Sequence, residues 1–193
     1  MKISKAEAID FIILVFRWYI AFYMISYAVG KLTGEQFGVS HEMIAKPIKD
    51  LNPFYIAWYL FGQSMAFKIV VAVSQIVGSI LILFPRTKLI GALVLLPILA
   101  NIFLIDACFT TGVLGFALPV RLAGMLFADL MILYHNKVEV SKAWQNLTTF
   151  NTPDIKYKWW IYLMVPVLGF LMDFILAIAL YPLRLVIQYW MHK

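Results

Sequence analysis

Cysteine, histidine and charged residues are all scarce in this chain of 193 residues. Cys108 is the single cysteine, which excludes an internal disulfide and a CxxC redox pair. The three histidines lie in a polar loop, at a helix end and beside the last residue. This scatter argues against a haem held by two facing histidines and against a catalytic zinc ion, so we expect no metal site. The histidines are His41, His135 and His192.

Only 13% of the residues are charged and 63% are hydrophobic, whereas soluble domains have ~25% and ~45–50%. A soluble domain of this size leaves roughly a third of its surface exposed and could not bury so much apolar area. The composition therefore predicts a multi-pass membrane protein whose main partner is the lipid bilayer. The net charge of +6 comes from residues between apolar segments, which favours contact with lipid headgroups over nucleic acid.

Five apolar segments have close to the ~20 residues that a membrane-spanning helix needs. They predict an all-α bundle in one membrane domain, 1–193, with polar links at 30–65 and 135–159. Ser4-x-x-Glu7 predicts a capping box, and Arg17 indicates a retained helix rather than a cleaved signal peptide. After Pro182, a short helix is expected to lie on the membrane interface. The predicted spans are about 9–29, 66–84, 89–109, 117–134 and 160–181.

Basic residues predict the orientation of the chain in the membrane, because they are enriched in cytoplasmic segments. Placing the N-terminus inside puts more of them on the inner side than the reverse orientation does. We therefore expect a cytoplasmic N-terminus in the inner (plasma) membrane. The inner basic residues would be Lys2, Lys5, Arg86, Lys88, Lys137, Lys142, Lys156 and Lys158.

Charged side chains within the spans are the strongest candidates for sites, since each costs about 2.5–3.5 kcal/mol to insert and normally finds a partner. Counting residues along antiparallel helices brings Arg17 to the depth of Asp129, and Asp106 to the depth of Arg121. We therefore predict two ion pairs. Asp106–Arg121 is expected to be structural, whereas Arg17–Asp129 fits a structural pair and a site equally well.

Five charged residues lie at membrane depth in the predicted spans, and Asp173 is the one among them without a basic partner at its depth. It is either a protonated structural residue or a group that faces a wet or ligand-filled cavity. Two neutral polar residues, Gln75 and Asn101, fall near the same midplane depth.

Short motifs follow one another in order between about Arg17 and Asp106. They are Arg17, Gly30-Lys31-Leu32, Gln36-Phe37, Pro53, Trp58, Phe61-Gly62, Ser64, Gln75, Gly78, Leu83, Arg86-Thr87, Leu89, Gly91-Ala92-Leu93 and Asn101. Together these landmarks resemble the DoxX-like family of small bacterial membrane proteins. The resemblance implies a four-helix membrane bundle, to which the fifth span would be an extension. It also implies a link to membrane redox chemistry, because the founding members are associated with thiosulfate:quinone oxidoreduction. Gln75 stands where the family often has Glu, which removes a titratable group.

The sequence favours an accessory or non-catalytic subunit of a membrane redox or respiratory complex, which would bind a partner protein. No nucleophile and base are recognisable together, so no enzymatic activity is assigned. A small transporter or proton pathway through Asp129 and Asp173 is another hypothesis. Four aromatic residues of the first link are expected to dock into the interface or against a partner. They are Phe37, Phe54, Tyr55 and Trp58.

A quinone- or lipid-binding component of an oxidoreductase is the main alternative, with a quinone as its cofactor. It would require a cavity among the first four spans with hydrogen-bond donors for the ligand oxygens. The expected lining residues are Arg17, Gln75, Asn101, Trp18 and Tyr27. A polar pocket open to the lipid would favour this hypothesis.

Overall fold

In a computed structural model of the chain, residues 4–110, 112–149 and 158–191 are described, and all regular elements among them are helical. The chain divides into two compact units, Met1–Leu147 and Thr148–Lys193, and the single domain expected from the sequence stays a prediction. The helices are α1 Lys5–Thr33, α2 His41–Ile44, α3 Pro53–Gly62, α4 Met65–Leu83, α5 Lys88–Phe109, α6 Gly112–His135, α7 Lys137–Thr148 and α8 Trp159–Met191, with a 3₁₀ turn at Ile48–Asp50.

Four helices, α1, α4, α5 and α6, are long and apolar enough to cross a membrane. They confirm the all-helical class and the presence of a long apolar helix at each of the first four predicted spans, with ends that differ by a few residues. The predicted fifth span lies in α8, whose described apolar stretch is Trp159–Met172, and it stays a prediction. The α8 helix runs through Pro182 instead of ending there, since a proline removes one backbone hydrogen bond and can kink a helix without ending it.

The four long helices form an antiparallel ring in the order α1, α4, α5, α6. Their shared core is aliphatic, while large apolar side chains such as Trp18 and Phe22 cover the outer surface of α1. This outward apolar surface is what a lipid-facing bundle requires. The fully buried core includes Ile20, Met24, Ile82, Leu95, Leu99, Leu122, Met125 and Ile132.

The predicted capping box at the start of α1 is confirmed. The backbone N–H of Glu7 donates to Ser4 Oγ at 3.2 Å, and the backbone N–H of Ser4 donates to Glu7 Oε2 at 2.8 Å. Two of the N–H groups that a helix start leaves without partners are thereby satisfied.

The two polar links contain helices that the hydropathy pattern did not predict. In the first link, Asn52 Oδ1 accepts from the Phe54 N–H at 2.9 Å, and Pro53 occupies the first helical position of α3. An N-cap Asn followed by Pro is a recognised sequence signal for a helix start, so α3 could have been predicted. The second link contains α7.

Gly91 allows α4 and α5 to approach closely, and we predict that Gly91→Ala destabilises the bundle. A Cβ at this position would lie 2.2 Å from the backbone nitrogen of Ile82, so the helices must separate. Overpacking of this kind costs about 1–3 kcal/mol and will lower the melting temperature in detergent. Gly124→Ala is the matched control, since its Cβ would meet the Tyr19 hydroxyl at an ordinary 3.6 Å. Equal melting temperatures for the two variants would contradict the close contact.

Candidate ligand-binding cavity

Arg17 caps the C-terminal end of α4 from the neighbouring helix. Its Nε donates to the Ile82 carbonyl at 2.7 Å, and its Nη2 donates to the Leu83 carbonyl. Thr87 Oγ1 donates to the Leu81 carbonyl at 2.8 Å. Three successive carbonyls that the end of a helix would leave without partners are therefore satisfied. The cation also lies at the negative end of the helix dipole.

The predicted Arg17–Asp129 ion pair is wrong. Asp129 is fully buried, and neither of its carboxylate oxygens accepts a hydrogen bond within the described part of the chain. Arg17 satisfies the α4 carbonyls instead, because those groups have no partners within their own helix. Counting residues gave the depth of both side chains but not the neighbour that each one faces.

The predicted Asp106–Arg121 pair is also wrong, since no ion pair joins these two among the described residues. The guanidinium carbon of Arg121 lies 5.1 Å from the centroid of the Tyr23 ring, in a cation–π contact with α1. Asp106 instead lines a cavity to which Lys31 of α1 also contributes. Both residues lie near the same end of the bundle, but they point to different neighbours.

The cavity has a volume of about 570 Å³ and lies at one end of the four-helix ring. It is bounded by the end of α1, the start of α4, the end of α5 and the start of α6. The helix α3 and the segment that directly follows α1 complete its wall. Its apolar lining consists of Tyr27, Phe37, Trp58, Phe61, Phe67, Val71, Ile102, Leu104, Ile105, Phe109 and Leu118. Its remaining lining residues are Lys31, Gln36, Asn101, Asp106 and Cys108.

Lys31 and Asp106 are the charged residues among those described in the cavity wall, and both are at least nine-tenths buried. Lys31 Nζ donates to Gln36 Oε1 at 2.9 Å and to the Tyr27 carbonyl at 3.4 Å. It also lies 5.3 Å from the centroid of the Phe37 ring, within the range of a cation–π contact. The cavity thus combines an extensive apolar surface with a small polar end.

Phe37 anchors an aromatic cover over the cavity. Its ring centroid lies 5.9 Å from that of Trp58, 5.4 Å from that of Phe61 and 6.4 Å from that of Phe67. Its φ of +63° is a left-handed conformation that a bulky residue rarely adopts. Gly62 permits this packing, because a Cβ there would lie 2.2 Å from the Phe37 carbonyl oxygen. Phe37 and Trp58, expected at the interface or on a partner, thus line this cavity.

Only some of the ligand-binding residues predicted from the sequence lie in the wall of this cavity. Asn101 and Tyr27 line the cavity, but Arg17, Gln75 and Trp18 do not. Gln75 is buried in the core, where its Nε2 lies 3.8 Å from Met24 Sδ, and Trp18 is 60% exposed on the outer surface. The side chain of a further candidate, Asp173, lies outside the described residues.

Sequence reasoning missed Lys31 and the role of the aromatic cover. Lys31 lies beyond the first predicted span, in the predicted link, yet α1 continues to Thr33 and buries it. The available signal was the set of landmark motifs, several of which meet at this one cavity. The landmarks in its wall or its cover are Lys31, Gln36-Phe37, Trp58, Phe61-Gly62 and Asn101.

Comparison with known proteins yields a partial relative. The Bacillus subtilis (strain 168) protein described as "Uncharacterized protein YwoB" is 38% identical over 99 residues. The aligned region covers 51% of this chain and 62% of that protein, so the chain matches less than two thirds of the relative's length. No protein-family profile and no solved structure matches the chain.

Arg17→Ala should destabilise the protein by about 2–3 kcal/mol, because it leaves two buried carbonyls without donors. Asp129→Asn serves as the second member of a double-mutant cycle, measured by unfolding in detergent. Since the two residues do not pair, their effects should add to within about 0.5 kcal/mol. A coupling energy clearly above that value would restore the ion pair and contradict the capping role.

Proposed function

We propose that this chain is a multi-pass membrane protein that binds an amphiphilic small molecule, a quinone or a lipid, in the cavity at the end of its four-helix ring. The observation that carries the proposal is a cavity with apolar and aromatic walls and two buried, oppositely charged residues at its polar end. Small-molecule sites are typically about 300–1,000 Å³, mostly apolar, with a few polar groups that orient the ligand. The volume of about 570 Å³ falls within that range.

The position of the cavity suits a ligand that arrives from the bilayer. With a cytoplasmic N-terminus, which the basic residues favour, α1 runs outward and the cavity lies at the outer ends of the helices. A ligand head at Lys31 and Asp106 would then lie near the headgroup region, with its apolar part against the rings of Phe37 and Trp58. The proposed setting is the inner (plasma) membrane, with α8 supplying a fifth span in addition to the four of the DoxX-like core.

The DoxX-like resemblance supports a place for this ligand-holding chain in a membrane redox or respiratory complex. In such a complex the chain would be a non-catalytic subunit, and a partner protein would carry the groups that transfer electrons. The transport hypothesis gains no support from Asp129, which is fully buried between the core residues Met125 and Ile132 of its own helix.

Cys108 offers a direct test, because it is the only thiol of the chain and lines the cavity. The protein is purified in mild detergent, co-purifying lipids and quinones are identified by mass spectrometry, and maleimide labelling of Cys108 is timed. We expect an amphiphile to co-purify, and its re-addition to delipidated protein to slow the labelling about tenfold, since a bound ligand covers the thiol.

The control replaces Cys108 with Ser and places the thiol on α7 by Val138→Cys, at a side chain that is 53% exposed and outside the cavity wall. Its labelling should be insensitive to the ligand. Recovery of the chain without any amphiphile, together with an unchanged Cys108 rate for every quinone and lipid added, would overturn the proposed function.

A further inference from the structure

The two charged residues of the cavity wall retain a hydrogen-bond donor and an acceptor for a ligand. A lysine ammonium carries three N–H groups, and Lys31 uses two of them on Gln36 and on the Tyr27 carbonyl. No described residue donates to the Asp106 carboxylate, although that side chain is nine-tenths buried and lines the cavity. One lysine N–H and the carboxylate of Asp106 therefore remain available on the cavity wall.

The two charges in the wall also restrict the charge of the ligand. An anionic head attracted by Lys31 would be repelled by Asp106, and a cationic head would meet the opposite conflict. A hydroxyl group avoids both conflicts, because its oxygen accepts from an ammonium while its proton is donated to a carboxylate. Both of these hydrogen bonds involve a charged group and are stronger than neutral ones.

We infer that the cavity selects amphiphiles with a neutral hydroxyl head, held between Lys31 and Asp106. This inference rests on the proposed function and names the chemical class of its ligand. Two sources share that chemistry: a phenol-type ring, such as the reduced form of a quinone, and a neutral glycerol lipid. The flat faces of Phe37, Trp58 and Phe61 would contact the ring of the first or the acyl chain of the second.

The test measures protection of Cys108 from maleimide by matched single-chain amphiphiles that differ only in the head. These are dodecanol, its methyl ether, dodecanoate and dodecylammonium. We expect dodecanol to give half-maximal protection at about a tenfold lower concentration than each of the other three, because it alone satisfies both groups without adding a charge. A long-chain alkylphenol and a monoacylglycerol, compared in the same assay, then distinguish the two sources.

Charge-removing variants test the two residues directly. Asp106→Asn keeps the shape of the side chain and leaves Lys31 unopposed, so the preference should shift towards dodecanoate. Lys31→Gln leaves the Asp106 carboxylate unopposed, so the preference should shift towards dodecylammonium. A merely structural role would weaken protection by all heads alike. Melting temperatures identify any variant that has lost its fold. If Lys31→Gln does not fold, the shift of Asp106→Asn towards dodecanoate still tests the inference.

The outcomes separate this inference from the proposed function. Equal protection by all four heads, with no shift in either variant, would overturn the hydroxyl selection while leaving amphiphile binding intact. A lack of protection by every head would contradict both. Preferential protection by dodecanol, with opposite shifts in the two variants, supports the assignment.

Discussion

A helix end that is buried away from water needs donors for its last carbonyls, and this constraint governs the end of α4. The turn from Phe84 to Thr87 is too short to carry the chain away from the bundle, so the last carbonyls of α4 must be satisfied locally. Arg17 and Thr87 do this from two directions. The cost of burying a guanidinium is thereby offset by bonds to carbonyls that would otherwise lack partners. With that end satisfied, α4 and α5 can approach closely at Gly91.

At the opposite end of the ring, the segment that follows α1 folds back onto that helix and supplies hydrogen-bond donors. The chain leaves α1 at Thr33, and the Gln36 N–H returns to the Gly30 carbonyl at 2.8 Å, which brings Gln36 beside Lys31. Phe37 then packs among aromatic rings of α3 and α4. This cover leaves a space between itself and the four helix ends rather than filling it. The cavity is therefore a direct consequence of how the bundle closes this end.

The parts of the fold that depend on local sequence were predictable, and those that depend on which neighbour a side chain faces were not. Hydropathy located four of the long apolar helices, and Ser4-x-x-Glu7 located a helix start. Residue counting placed Arg17 and Asp129 at one depth, but depth does not give rotation about the helix axis. It also ignored backbone carbonyls as partners, although these are what Arg17 binds. The burial of Lys31 was not predictable from its position, because a cation near the end of a span usually reaches water.

Two buried carboxyl groups illustrate why access, rather than burial, identifies a site. No described residue donates to either carboxylate, but only the oxygens of Asp129 are buried without a partner, which costs stability. Asp129 lies in the closely packed aliphatic core, where a ligand has no room to supply the missing bond. Asp106 lines a cavity that also contains a lysine, so a bound molecule can satisfy it. A ligand that donates a hydrogen bond to Asp106 would therefore stabilise this end of the bundle according to its affinity.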